Sequence, residues 1–321
     1  MIGVVLVWLV SVLVFLATNV LPGDAARAAL GAKASSAQVE QVRHALGLER
    51  PLVRRYGEWL AGIARGDLGD SLTAGGTAAA LGGQTSKTPV TAIVAAPVRN
   101  TFVLALVTIA VLVPLSLLLG VAAGVRPGGW IDRVVSTVTL AGLAVPDFVV
   151  GTVLILLFAI RLTIFPPVSL VAPGESPLAH PDILILPVAT LVVVALGFAT
   201  RQVRAGVARA IESDYVEMAR LNGIRERRVV MSWALCNSVA PSIQTLTQVI
   251  QYLLGGVVLV EYVFSYPGIG AGLVQYVAAR DFPTVQSVCV LIAAVYILLN
   301  IAADLLVVLV VPRLRTGGVV S

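Results

Sequence analysis

The sequence predicts an all-α integral membrane protein with six transmembrane helices, and two observations carry this prediction. Only 12% of the 321 residues are charged and 58% are hydrophobic, whereas soluble domains average about 25% charged residues. Six segments also have the apolar character and approximate length, about 20 residues, that a helix needs to cross a bilayer. The expected surroundings of this chain are therefore lipid rather than water.

The six segments follow one another along the chain with polar stretches between them. The first lacks the basic start and the small-residue cleavage site of a signal peptide, so we interpret it as a retained helix. Carboxylates occur only in the third and the sixth, at Asp147 and Asp304. The predicted spans are residues 2–21, 100–125, 134–160, 183–200, 235–260 and 284–311.

The distribution of basic residues predicts the orientation, because cytoplasmic loops carry an excess of Lys and Arg. With the N-terminus inside, eleven of the 22 Lys and Arg fall in cytoplasmic loops and the tail. Only Arg161 and Arg280 fall in the two short external loops. The long segment between the first two spans holds the other nine, but loops beyond about 60 residues escape this rule. Both termini are therefore predicted to be cytoplasmic, and the long loop to be external.

That external loop, residues 22–98, is predicted to contain two short helices. The first begins near Ser35 and ends near Gly47. The second begins after Pro51, and helical spacing gives it one apolar face. This face consists of Leu52, Tyr56, Trp59, Leu60 and Ile63. Residues 74–88 are rich in Gly, Ala, Thr and Ser, and we interpret them as a linker.

A polar island over residues 214–223 lies between two apolar segments. Seven of the 22 basic residues fall between Arg201 and Arg228, and we interpret this loop as a docking element for another protein. Ala219 is small, so a partner surface could approach it closely. Gly223 is expected to adopt the positive φ that ends a short helix. The alternative is an ordinary charged cytoplasmic loop.

Polar side chains inside the predicted spans allow two interpretations for the glutamines of the fifth span and for Asp147. Gln244, Gln248 and Gln251 share one helix face, which either packs between helices or lines a translocation path. Asp147 follows Pro146 in the middle of the third span, where a charge costs at least about 2.5 kcal/mol, so the side chain must face protein or water or be protonated. It either hydrogen-bonds helix ends freed by the proline or lies in the path. Asn300 and Asp304 are expected to form a structural polar contact.

Motifs for catalysis are missing from the sequence. No phosphate-binding loop is present, since the Lys87-Thr88 pair follows Ser86 rather than glycine. His44 and His180 are the only histidines, and no cluster suggests a metal. The net charge of +5 is explained by topology rather than by nucleic acid. We therefore predict no catalytic residues, no metal site, no cofactor in this chain and no nucleic-acid partner.

Seven stretches match, in order, the pattern of one transporter family. On these stretches the chain resembles the permeases of ABC importers that carry an EAA loop. More narrowly, it is similar to the first permease subunit of the dipeptide/oligopeptide/nickel importers. The stretches are residues 21–24, 44–51, 66–71, 146–148, 214–223, 261–270 and 280–283.

The resemblance implies a type I ABC importer permease fold in the bacterial cytoplasmic membrane. Residues 1–21 would be the first transmembrane helix and 22–98 the periplasmic-side loop. Residues 99–312 would be the permease core, with the coupling loop at 205–232, and 313–321 a cytoplasmic tail.

The resemblance also implies roles for residues. Glu217, Met218, Ala219 and Gly223 would couple the permease to an ATPase subunit. A turn-rich segment is expected at the outer surface, where it is either a simple loop or, by its place in the family, an outer gate or a docking contact for a binding protein. Its residues are Tyr266, Pro267, Gly268 and Gly270.

The implied partners are a second similar permease, two ABC ATPase subunits or one fused ATPase, an external substrate-binding protein and the bilayer. ATP and Mg would be bound by the ATPase subunits. The implied function is uptake of dipeptides or oligopeptides, with nickel, haem or another small solute as alternatives within the family. A secondary transporter driven by ion gradients is the rival class. It would need more buried ionisable residues or inverted repeats.

Overall fold

The computed structural model of the chain describes residues 2–20, 36, 40, 50–71, 88–172, 174–225, 228–229 and 256–310. Over these residues the chain is mainly helical, with one short antiparallel strand pair, β1 (Asp70–Ser71) and β2 (Thr88–Pro89). The helices are α1 (Ile2–Val20), α2 (Leu52–Ala64), α3 (Val90–Gly124), α4 (Trp130–Ala144), α5 (Asp147–Leu154), α6 (Pro181–Ile211), α7 (Asp214–Leu221), α8 (Ile269–Ala278) and α9 (Phe282–Val310). A π-helical segment (Ile155–Arg161) continues α5, a 3-10 turn (Pro177–Ala179) precedes α6, and residues 256–263 are helical.

Three helices in the described part of the chain are long and apolar enough to cross a membrane: Val90–Gly124, Pro181–Ile211 and Phe282–Ala302. They correspond to the second, fourth and sixth predicted spans. The first predicted span is the 19-residue helix α1, whose apolar stretch Gly3–Thr18 is shorter. Most of the fifth lies outside the described residues. The count of six spans and their orientation therefore stay predictions.

The third predicted span is not one continuous helix. Helices α4 and α5 are bent by 101° at Val145 and Pro146. Proline has no N–H for a helical hydrogen bond and pushes the preceding residue toward extended backbone. Val145 accordingly lies at φ −99° and ψ 130°. Asp147 is thus the first residue of a new helix. This corrects the prediction of one span over residues 134–160, whereas helix ends freed by the proline were one of the two interpretations of Asp147.

The chain divides into two compact units. The first is Met1–Thr101 with Pro267–Leu298. In it, α2 begins after Pro51 as predicted, and its Tyr56 and Trp59 rings pack against Phe15 of α1, with ring centroids 5.3 and 5.7 Å away. The hydroxyls of Ser11 and Tyr56 lie 2.8 Å apart. Leu52, expected on the same apolar face, is exposed.

The predicted first helix of the external loop lies almost wholly outside the described residues, with Ser36 and Glu40 helical. The predicted linker lies outside them as well, except for Thr88 in β2.

The second unit is Phe102–Tyr266 with Leu299–Ser321. Helix α6 runs through its core, where Leu191, Ala195 and Ala199 are buried together with Leu104 and Phe264. Helices α4 and α6 cross so closely that a side chain at Gly197 would collide with the backbone of Thr139. Small residues at such crossings are what allow helices to pack tightly in membranes, where the hydrophobic effect gives no driving force.

Candidate functional site

Helix α7 occupies the polar island that the sequence singled out. Its first turn is closed by the Ser213 carbonyl, which accepts hydrogen bonds from the N–H groups of Val216 (3.0 Å) and Glu217 (3.1 Å). Asp214 and Glu217 lie in the first turn, and Arg220 lies in the last. Acidic groups at the N-terminus and basic groups at the C-terminus complement the helix dipole. The sequence therefore favours a helix of only two turns at this place.

The C-terminus of α7 is closed at Gly223, which adopts a φ of +74°. Its N–H donates to the Arg220 carbonyl at 2.9 Å, and the N–H of Ile224 donates to the Ala219 carbonyl at 3.2 Å. This is the pair of bonds of a Schellman motif. Ile224 also packs against the apolar side of the helix. The predicted positive φ at Gly223 is thus confirmed.

One side of α7 faces into the chain. Val216 and Ala219 are buried with Val229, and Ala219 is only 3% exposed. The expectation that a partner would approach Ala219 closely is therefore corrected, because its small side chain serves packing within the chain. Any part it has in coupling would act through the position of the helix.

The other side of α7 exposes an apolar ridge, here called the outer ridge, formed by Tyr215, Met218 and Leu221. These side chains are 37%, 58% and 76% exposed. The exposed carboxylates Asp214 and Glu217 flank them. Contiguous exposed apolar side chains with a polar rim are typical of a protein-docking surface, and methionine adapts easily to a partner. Glu217 and Met218, to which the resemblance assigns a coupling role, are therefore accessible to a partner.

Helix α7 is joined to α6 through Glu212 and Ser213 alone. The Ser213 hydroxyl donates to the Ala210 carbonyl, which fixes this joint. Above the joint, Val203 and Val207 of α6 pack directly onto Gly120 and Gly124 of α3. A Cβ added to either glycine would lie 2.6 or 2.8 Å from the corresponding valine Cβ. A displacement of α7 would therefore be transmitted to the long helices α6 and α3, because these two helices are packed tightly together.

An ion pair also ties α6 to α4. Arg204 donates from both Nε and Nη2 to the two carboxylate oxygens of Asp132, the second bond being 2.6 Å long. Asp132 is buried, and it also accepts hydrogen bonds from the Gly128 N–H (2.8 Å) and the Ser136 hydroxyl (3.1 Å). Bidentate pairs of this kind fix geometry as well as charge. Sequence reasoning missed this pair, because the orientation rule had already accounted for Arg204.

The residues predicted for the translocation path are only partly described. Gln244, Gln248 and Gln251 lie outside the described residues, and so does the side chain of Asp304. The Asp147 carboxylate faces the backbone of Gly256, where an added Cβ would lie 2.8 Å from Oδ2. Asp147 therefore contacts the end of the fifth predicted span. A role in the path stays a prediction for all four predicted path residues.

The segment predicted as an outer gate is packed into the protein rather than forming a surface loop. In the second unit Tyr266 is fully buried, and its N–H donates to the Glu261 carbonyl at 2.8 Å. In the first unit the Asn100 amide donates to the Pro267 carbonyl at 2.9 Å. Gly268 precedes α8, and Gly270 is buried within it. The expectation of an exposed turn is thus corrected, while a gating role stays a prediction.

Two of the stretches that carried the resemblance meet in the first unit. The Ser71 hydroxyl donates to the buried carboxylate of Asp281. The hydroxyl of Ser287 donates to the Leu68 carbonyl at 2.7 Å. The N–H of Thr284 donates to the same Asp281 carboxylate at 3.4 Å, so Asp281 also caps helix α9. This contact gives a structural reason for both sequence stretches.

Comparison with known proteins agrees with this architecture. Residues 116–316 match the family described as binding-protein-dependent transport system inner membrane component, and residues 1–105 match its N-terminal counterpart. The chain is 35% identical over 307 residues to a glutathione transport system permease protein of Pectobacterium atrosepticum. It is 32% identical over 330 residues to a protein of Escherichia coli K12 named "probable D,D-dipeptide transport system permease protein".

A third relative, of Sinorhizobium fredii, is named "probable peptide ABC transporter permease protein" and is 32% identical over 307 residues. Each of the three alignments covers 96% of this chain and 94% of the relative. The family match and these near-complete alignments lead to one conclusion: the chain belongs to the family of inner membrane components of binding-protein-dependent transport systems.

Proposed function

We propose that this chain is the permease subunit of an ATP-driven importer for peptides. It forms half of a translocation pathway with a second, similar permease, and an external binding protein delivers the cargo. The relatives named for glutathione, D,D-dipeptide and peptide transport support a peptide-like cargo. Nickel, haem or another small solute is the alternative cargo within the same family.

The observation that carries the coupling part of the proposal is the outer ridge. The sequence contains no phosphate-binding loop, so the energy of ATP hydrolysis must enter through a contact with ATPase subunits that bind ATP and Mg. We place α7 on the cytoplasmic side, because the excess of arginine around it predicts that side. Met218 and Leu221 offer that partner most of the exposed apolar surface of the helix.

The packing behind α7 supports a mechanical role. A coupling element must be biased by both the ATPase and the pore. Helix α7 is closed at both ends by backbone hydrogen bonds and is joined to the 31-residue helix α6 by two residues. Glycine-to-valine contacts then connect α6 to α3. Movement of α7 would thus tilt helices instead of being absorbed by a loop.

The test is a transport assay on the complete transporter reconstituted in proteoliposomes. The double substitution Met218→Ala and Leu221→Ala removes most of the outer ridge and leaves the buried side of α7 intact. Burial of one large apolar side chain contributes about 1.5–3 kcal/mol. We therefore expect a loss of at least tenfold in stimulated ATPase activity and in ATP-driven uptake.

The matched control is the double substitution Val168→Ala and Leu178→Ala, which also truncates two exposed apolar side chains. These residues lie in the predicted external segment between α5 and α6, away from the ATPase. Normal coupling in this control and loss in the ridge variant would support the proposal. Equal activity in both variants would refute coupling through α7.

The rival class is tested in the same vesicles. If ATP drives transport, uptake persists when ionophores abolish every ion gradient and ATP is present on the ATPase side. Uptake that follows an ion gradient and ignores ATP would support a secondary transporter instead. Competition by unlabelled dipeptide, but not by nickel, would support the peptide cargo.

A further inference from the structure

A cleft of about 170 Å³ lies between α4 and α6, apart from the outer ridge. Ser136 and Leu140 of α4 line one wall, and Thr200, Arg201 and Arg204 of α6 line the other. This volume is several times the roughly 30 Å³ that one water occupies in the liquid. It can hold a group the size of a phosphodiester, but not a helix.

One polar atom in this cleft lacks the partner that burial requires. Thr200 is 1% exposed, and its hydroxyl finds no hydrogen-bond partner in the described part of the chain. An unsatisfied buried hydroxyl costs about 1–3 kcal/mol. A ligand with an acceptor oxygen beside Thr200 would remove this cost.

The charge of the cleft is positive. Asp132 is neutralised by its bidentate pair with Arg204. Arg201 is exposed, and across the described residues it makes no ion pair. The net charge contributed by Asp132, Arg204 and Arg201 is therefore +1. This charge lies on the guanidinium of Arg201, whose planar set of N–H donors suits phosphate oxygens.

The residues at the start of α4 are of the kind that occurs at a membrane interface. Trp130 begins α4 and is exposed, as tryptophans at the headgroup level of membrane proteins commonly are. Arg204 is level with Trp130 because it pairs with Asp132 in the same turn. Leu140, which is 56% exposed, and Val138 extend the same helix with apolar surface toward the bilayer centre.

We propose that this cleft binds the phosphate of an anionic phospholipid, with its acyl chains along the exposed apolar side of α4. Arg201 donates to the phosphate oxygens, the Thr200 hydroxyl donates a further hydrogen bond, and Leu140 contacts the first acyl carbons. The proposal depends on the membrane location of the family and not on the coupling role of α7.

The experiment measures phosphatidylglycerol bound to the purified transporter complex in detergent by native mass spectrometry. Arg201→Gln should weaken binding about tenfold, because one charge-assisted hydrogen bond and its charge are lost. Arg201→Lys should retain most of the binding, and Thr200→Val should weaken it a few-fold. Arg209→Gln, which removes an exposed arginine two turns further along α6, is the charge-matched control and should bind as the wild type does.

Two further arms test the source of the phosphate and the accessibility of the cleft. Inorganic phosphate titrated at equal concentration should not displace phosphatidylglycerol, and phosphatidylcholine should bind far more weakly. A photo-reactive residue in place of Leu140 should capture lipid. Equal binding by the Arg201→Gln and Arg209→Gln variants, displacement by inorganic phosphate, or capture of the second permease at position 140 would each overturn the proposal.

Discussion

The left-handed backbone at Gly223 gives the sharpest prediction about α7. Among the residues that the structure describes, no atom lies within 4 Å of a Cβ added at this glycine, so within them only the φ of +74° opposes a side chain. That conformation costs an ordinary residue about 1–2 kcal/mol, and asparagine adopts it more easily. The cost should therefore follow backbone preference and not side-chain size.

A series of substitutions separates these two explanations. Gly223→Asn adds a larger side chain than Gly223→Ala but should be the milder change. A cost of 1–2 kcal/mol lowers the population of the closed turn about 5- to 30-fold for alanine. Gly223→Val should be worse, because a β-branched residue at positive φ is strained further.

Amide hydrogen exchange at Ile224 reads this population directly, since its N–H donates to the Ala219 carbonyl across the turn. We expect exchange to accelerate by the same 5- to 30-fold in Gly223→Ala and clearly less in Gly223→Asn. Stimulated ATPase activity should fall in the order Gly, Asn, Ala, Val. Greater damage from asparagine than from alanine would refute the reasoning, because it would mean that a partner's close approach, not backbone conformation, requires the glycine.

Three other predictions concern the contacts of α6 with α4 and α3 and the membrane topology of the chain. Asp132→Asn should lower the free energy of unfolding by about 3 kcal/mol, because Arg204 loses its buried partner. In a thermal melt of the complex, the double variant Asp132→Asn/Arg204→Gln should be more stable than this single variant. A double variant that is less stable than the single variant would contradict the pairing. Gly124→Leu should destabilise by about 1–3 kcal/mol through its collision with Val207, whereas the neighbouring Ala122→Leu, at an exposed position, should leave the melting temperature unchanged. Single cysteines at Ala78 and Arg225, in a chain without Cys236 and Cys289, should react with impermeant maleimide from opposite sides of the membrane; labelling from one side only would refute the predicted orientation.

The sequence predicted the long apolar helices and the turn at Gly223 because their signals are local. Composition and length are enough to predict α3, α6 and α9, and a glycine after a short polar helix is enough to predict its end. The break at Pro146 was also visible in the sequence, since helix ends freed by this proline were one of the two interpretations of Asp147. Residues 134–160 were still predicted as one span, because the apolar run continues through the proline and hydropathy does not register the missing N–H.

The remaining features depend on residues far apart in the chain. Whether Ala219 faces inward or outward is set by Val229 packing beneath it. Asp132 and Arg204 are 72 residues apart, and nothing local marks them as partners. The burial of Tyr266 likewise follows from the packing of its unit, which no turn propensity reports.

The central claim is that an ATPase subunit binds the outer ridge, and site-specific cross-linking tests it most directly. A photo-reactive residue replaces Met218 in the assembled transporter, and the same residue replaces Leu178 as the control, since both positions are 58% exposed. We predict that position 218 captures an ATPase subunit and position 178 does not, with the yield at 218 changing between nucleotide-free and ATP-bound complexes. Capture of lipid alone at position 218, or equal capture of the ATPase at both positions, would contradict the account.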